Sequence, residues 1–227
     1  MITYRNRHVP ETFEEIVDPS HTVLLVHEMR NDLREIGAPD KNGKMIRIEF
    51  DPIVAPIRRL VDSARHRSVR IIYAGYVGHS DESFYSDPMV LRSRDRLMDP
   101  ATAPGPSGEV ETTRGWQVID ELRPRKGDII LRKPRVDCFI GTNLELVLRW
   151  NAIRTLVIVG VGAEIGILPT VFHAVNLGFF VVAPEDCIRP TAREWHDDAM
   201  KFIGGNCHGP VALVRPSADI VGLWGQG

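Results

Sequence analysis

Residues 155–183 read TLVIVGVGAEIGILPTVFHAVNLGFFVVA. The run 155–160 is β-branched and aliphatic with no polar alternation, the pattern of a parallel strand buried on both faces. Residues 165–177 carry a helical apolar pattern, and FFVVA at 179–183 is a second strand. Strand, helix and strand in succession make the βαβ unit of a parallel sheet.

Working outward, the same alternation repeats. TVLLVH at 22–27, VRIIYA at 69–74 and DIIL at 128–131 read as further strands, with a weak last one at 210–214. Apolar residues at 53, 54, 57, 60 and 61 form one helical stripe, and further helices are predicted over 142–150 and 193–203. The expected fold is α/β: a three-layer, doubly wound, mostly parallel six-stranded sheet with helices on both faces, in a single domain over 1–227. Residues 1–18 form an N-terminal extension. Residues 76–115 are rich in Ser, Asp, Pro and Gly and break every pattern, so they are expected as an insert near the site, with Phe84, Tyr85 and Trp116 as candidate pocket walls.

The chain has 227 residues, 28 Lys+Arg against 30 Asp+Glu, and 43% hydrophobic residues. A near-neutral balance without a basic run disfavours nucleic acid as partner. No apolar run reaches the length of a membrane span, and residues 1–20 lack an apolar signal region, so a soluble cytoplasmic protein is expected. Cys138, Cys187 and Cys207 are too few and too scattered for a disulfide framework or a thiolate metal cage.

Ligands of such sheets bind beyond the carboxyl ends of the strands. Three ends therefore matter: His27-Glu28-Met29, Arg132-Lys133 and 160–166. The last, GVGAEIG, invites comparison with a dinucleotide fingerprint. Its spacing is not G-x-G-x-x-G, however, and Glu164 stands where a phosphate would come close. Glu28 follows a buried strand directly, so it needs a cation, and Lys133 supplies one if the strands bring the two together. A structural ion pair and an acid or base tuned by burial against a cation both fit these two residues.

These ends also carry a resemblance. LLVHEMRNDL at 24–33, ILRKPRVDCF at 130–139 with Thr142-Asn143-Leu144, and LVIVGVGAEIGILPT at 156–170 resemble, in order, the three motifs of the isochorismatase-like hydrolase superfamily. The resemblance implies a hydrolase without cofactor or metal, a small-molecule substrate bearing a carboxylate or amide, and a homodimer or homotetramer. Metal-binding relatives carry an Asp-x-His motif that His79 and Asp81 do not reproduce. In most members the motifs supply an Asp, a Lys and a nucleophilic Cys. Those positions fall here on Glu28, Lys133 and Gly166. Glycine has no thiol, so covalent amide hydrolysis is unavailable by that route.

The cysteine-less isochorismatase branch is the closest in pattern: His precedes the acid, Arg135 and Phe139 follow the lysine, and glycine occupies position 166. The function it implies is acid-catalysed cleavage of an isochorismate-like vinyl ether to pyruvate, with Glu28 as proton donor and Lys133 as its partner. Gly162 to Gly166 would form a backbone cradle, and Arg135, with Arg132 and Arg30 as lesser candidates, would clamp a substrate carboxylate. Val161, Gly162, Ile165, Arg135, Phe139, Cys138 and Trp116 are the expected substrate contacts. His27 is expected as a packed core residue, and His173 as packing or interface. The resemblance further implies a cis peptide at Val161–Gly162. The alternatives are an amidohydrolase acting on a small amide or ureide whose Cys is replaced by Gly166, and an inactive member that binds a ligand or partner.

Overall fold

The computed structural model describes residues 2–39, 45–77, 86–88, 90–91, 114–205 and 211–225. His79, Asp81, Phe84, Tyr85 and Cys207, with most of the insert, lie outside the described residues.

The strands of the central sheet are β1 (Thr22–His27), β2 (Arg70–Tyr76), β3 (Ile129–Lys133), β4 (Thr155–Val161), β5 (Phe180–Pro184), β6 (Ile188–Arg189) and β7 (Leu213–Arg215). They run in the order β7-β5-β4-β1-β2-β3, all parallel, and the short β6 pairs with the end of β4. Seven strands thus replace the expected six. β6 is two residues long, too short to leave a periodic signal.

Helices α1 (Asp51–His66), α2 (Leu144–Trp150), α3 (Leu168–Asn176), α4 (His196–Gly204) and α5 (Ser217–Trp224) cover both faces. The side-chain period of two divides β1 cleanly. Leu24 and Val26 join the core under α1 and α5, while Val23 and Leu25 join the one under α2, α3 and α4. Position 220 of α5 and its Trp224 are buried, and the Trp224 indole N–H donates to Val17 O at 2.8 Å. Pro216 ahead of this helix and Gly222 within it masked its pattern in the sequence.

The expected helix over 165–177 divides in two. A π-helical turn, Ala163–Ile167, precedes α3. The N-terminal residues pair as a hairpin, Ile2–Tyr4 against Arg7–Val9. Among the described residues, no helix is long and apolar enough to cross a membrane.

Candidate active site

β1 ends at His27, and Glu28 turns out of the strand with φ +53°, a left-handed conformation uncommon in non-glycine residues. Its backbone N–H donates to Ala74 O at 2.9 Å, which ties it to the end of β2. Lys133 ends β3, so β2 lies between the two residues and they are not on neighbouring strands. The register Tyr76↔Lys133 nevertheless brings the three strand ends together.

Lys133 Nζ stands 2.7 Å from Glu28 Oε1, which also accepts the Tyr76 backbone N–H at 2.7 Å. Arg30 Nε lies 3.1 Å from Oε2, close enough for an ion pair but not aligned as a hydrogen bond. Lys133 and Glu28 are 2% and 7% exposed, so these charges are neutralised by one another rather than by water. Lys133 also donates to the carbonyls of Arg135 and Val136, at 3.4 and 3.3 Å.

Burial acts to raise the Glu28 pKa, but Lys133 and then Arg30 outweigh it and hold the group at about 2. Glu28 is therefore ionised at neutral pH. The other two nitrogens of Arg30 are engaged: Nη2 pairs with Asp32 at 3.1 Å, and Nη1 donates to Tyr76 O at 2.8 Å.

His27, 2% exposed, reaches across to the end of β4, where Nδ1 lies 2.8 Å from Val161 O. A carbonyl only accepts, so in the neutral ring the proton sits on Nδ1 and Nε2 carries a lone pair. Burial, with Lys133 adding to it, lowers the His27 pKa to about 4. A Cβ built on Gly166 would fall 2.3 Å from His27 Cε1 and 2.6 Å from Nε2. The imidazole therefore occupies the room a side chain at 166 would need. His27 is buried, as a packed core residue is expected to be, and its ring packs directly against Gly166.

Several expected contacts are placed differently. The Arg135 guanidinium, expected to clamp a substrate carboxylate, donates to Pro134 O at 2.7 Å, and the arginine paired with Glu28 is Arg30. Cys138 is fully buried in the core, where burial pushes its thiol up to about 12, so it neither lines a site nor serves as a nucleophile.

The expected cradle is spent on itself. The amides of Ile165, Gly166 and Ile167 converge on Gly162 O at 3.2, 2.8 and 3.0 Å, and the Gly162 amide donates to Arg189 O. No peptide is cis among the described residues, and Gly162 reaches its turn with φ +81° instead. The Val161 side chain is buried, while Ile165 is 45% exposed beside the turn. Phe139 packs at a tilt against His173, whose Nδ1 pairs with Asp137 at 2.7 Å.

Trp116 donates its indole N–H to Tyr76 O at 3.0 Å. With Arg30, Met29, Gly75 and Tyr73 it lines a cavity of about 280 Å³. Sequence reasoning missed Tyr76, whose contribution is a backbone amide. Only the β2–β3 register could have revealed it.

A family model described as Isochorismatase domain matches residues 22–212. The ureidoacrylate amidohydrolase RutB of Enterobacter sp. (strain 638) is 28% identical over 219 residues, covering 89% of this chain and 90% of its own. Its counterpart from Acinetobacter baylyi is 29% identical over 192 residues, covering 80% and 76%. Among solved structures, a cysteine hydrolase from Pseudomonas syringae pv. phaseolicola 1448A superposes with TM-score 0.73 at 20% identity, covering 92% of this chain and 95% of its own. N-carbamoylsarcosine amidase from Thermoplasma acidophilum superposes with TM-score 0.63 at 24% identity, covering 87% and 96%. These two structures establish the likeness of fold.

Proposed function

The chain belongs to the isochorismatase-domain family of hydrolases, and from that premise we propose that it hydrolyses the C–N bond of a small amide or ureide without a covalent thiol intermediate. The observation that carries this reading is the ionised Glu28. With Lys133 and a backbone N–H on one oxygen and Arg30 at the other, it has no proton to give to an enol-ether carbon. Its part is to hold two cations and a strand end in place. The amidohydrolase relatives support the same bond type. Gly166 removes the thiolate, so water attacks the carbonyl carbon directly.

A second reading, cleavage of a vinyl ether to pyruvate, is favoured by the absence of a side chain at 166. It requires a dianionic substrate that draws Lys133 away and lets burial raise the Glu28 pKa.

One assay separates the two. Ammonia release is followed from a panel of primary amides and ureides, beside pyruvate release from isochorismate. Ammonia without a pre-steady-state burst, insensitive to thiol alkylation, is the expected result. Pyruvate without ammonia would overturn the amide reading in favour of the ether.

A further inference from the structure

Of the two ionisable side chains that end β1, His27 has a lone pair left over. His27 Nε2 is buried without a hydrogen-bond partner among the described residues. Glu28 Oε2 also lacks an aligned hydrogen bond, but it faces the Arg30 charge at 3.1 Å while Lys133 holds Oε1, so neither oxygen is free of a cation. A buried polar atom left unpaired costs about 1–3 kcal/mol and is retained where it has work to do. The ring edge that carries Nε2 also packs directly against Gly166, where a Cβ would fall 2.3 Å from Cε1 and 2.6 Å from Nε2. We infer that His27 is the proton acceptor of the hydrolysis, activating the attacking water in place of a thiolate. This rests on the C–N hydrolase reading above.

The step balances without any further reactant. The water O–H bond breaks, and its proton goes to Nε2. The oxygen's electron pair forms the C–O bond, and the carbonyl π pair moves onto the carbonyl oxygen. On collapse the C–N bond breaks, and the leaving nitrogen takes the proton from Nε2, giving the acid and the amine.

The surroundings suit a transient imidazolium. Nδ1 is already set against Val161 O, and Val136 O lies near enough to favour the protonated ring. The charges facing the ring are Lys133 from β3, which disfavours a second cation, and Glu28, which favours it. Glu164, on the turn packed against the ring, has its carboxylate committed to Thr191.

The test compares the parent with His27→Gln, which fills similar volume but cannot take a proton. Where the parent releases ammonia, kcat should fall about 10²–10⁴-fold in His27→Gln with KM changed little. The parent's kcat/KM should also decline as pH drops through about 4, and this limb should be absent from the variant's residual activity. A variant within threefold of the parent in kcat would overturn the role of His27 while leaving the amide reading intact. A parent inactive on every amide would overturn the amide reading, and with it the catalytic step. Independently of activity, 15N shifts of the parent's imidazoles at pH 7 should show one buried ring protonated on Nδ1 and bare at Nε2. A ring protonated on Nε2 would overturn the inference even if His27→Gln fails to fold.

Discussion

The two residues that end β1 are one peptide apart and built on opposite principles. At Glu28 both oxygens face a cation, Lys133 with the Tyr76 amide on one and Arg30, by charge rather than by an aligned hydrogen bond, on the other. At His27 one ring nitrogen is satisfied by Val161 O and the other is left bare beside Gly166. A fully paired charge is a poor base, because each cation must be released before a proton can be accepted. A neutral, half-paired imidazole has a lone pair available at once. Charge therefore marks the rigid half of the site, and the uncharged half holds the reactive atom.

The largest effect should come from breaking the charged half. Lys133→Met leaves Glu28 buried against Arg30 alone, and losing one partner of a buried pair costs about 3–5 kcal/mol. A loss of about 3 kcal/mol or more in urea unfolding at pH 7 is expected. The pH dependence follows from the lowered pKa of Glu28, about 2 against an ordinary 4.5. Its contribution is fully present above about 4.5 and is lost as pH falls towards 2. The deficit of Lys133→Met should therefore narrow across that window. An equal deficit at pH 7 and pH 2.5 would mean that Lys133 stabilises by packing rather than by charge.

The uncharged half makes a different prediction, about space. Gly166→Cys puts a Cβ 2.3 Å from the His27 ring, which must then leave Val161 O, at about 1–3 kcal/mol. His27→Ala removes the obstruction but also a buried hydrogen bond. The double variant should be more stable than the two single losses predict, by about 1 kcal/mol or more of coupling. Additive losses in thermal or urea unfolding would mean that the ring relaxes freely, and that glycine at 166 is not needed by His27.

The two halves were not equally legible in the sequence. Unbroken runs such as 22–27 and 155–160 carry the parallel sheet, because burial on both faces removes all alternation. The Glu28–Lys133 pair followed from the cost of a carboxylate at the end of such a run. Three things were not legible. The pairing of Arg30 with Glu28 was one, because it depends on how the arginine side chain leaves its turn. The amides over 165–167 close a π-helical turn on Gly162 O, which no residue pattern announces. The contact of the His27 ring with Gly166 was the third, because alternation along a strand predicts that neighbouring residues face opposite sides. The left-handed backbone at Glu28 breaks that alternation, and Glu28 meets the ends of β2 and β3 while His27 reaches the end of β4.

The smallest effect tests that left-handed backbone against the side chain it carries. Glu28→Asp has two opposed consequences. Aspartate adopts positive φ more readily than glutamate, which favours the variant by a few tenths of a kcal/mol. Its carboxylate is one methylene shorter, roughly 1 Å or more, so contacts now at 2.7 Å with Lys133 and the Tyr76 amide lengthen or lose alignment. A hydrogen bond to a charged group contributes about 1.5–3 kcal/mol, so the side-chain loss prevails and a net destabilisation of about 1 kcal/mol is expected at pH 7. Lys133 and Arg30 are still neutralised, and His27 is untouched, so turnover should fall by no more than about tenfold. A loss of a hundredfold or more with stability preserved would mean that the carboxylate oxygens themselves take part in proton transfer. The division between a charged scaffold and an uncharged reactive atom would then have to be redrawn.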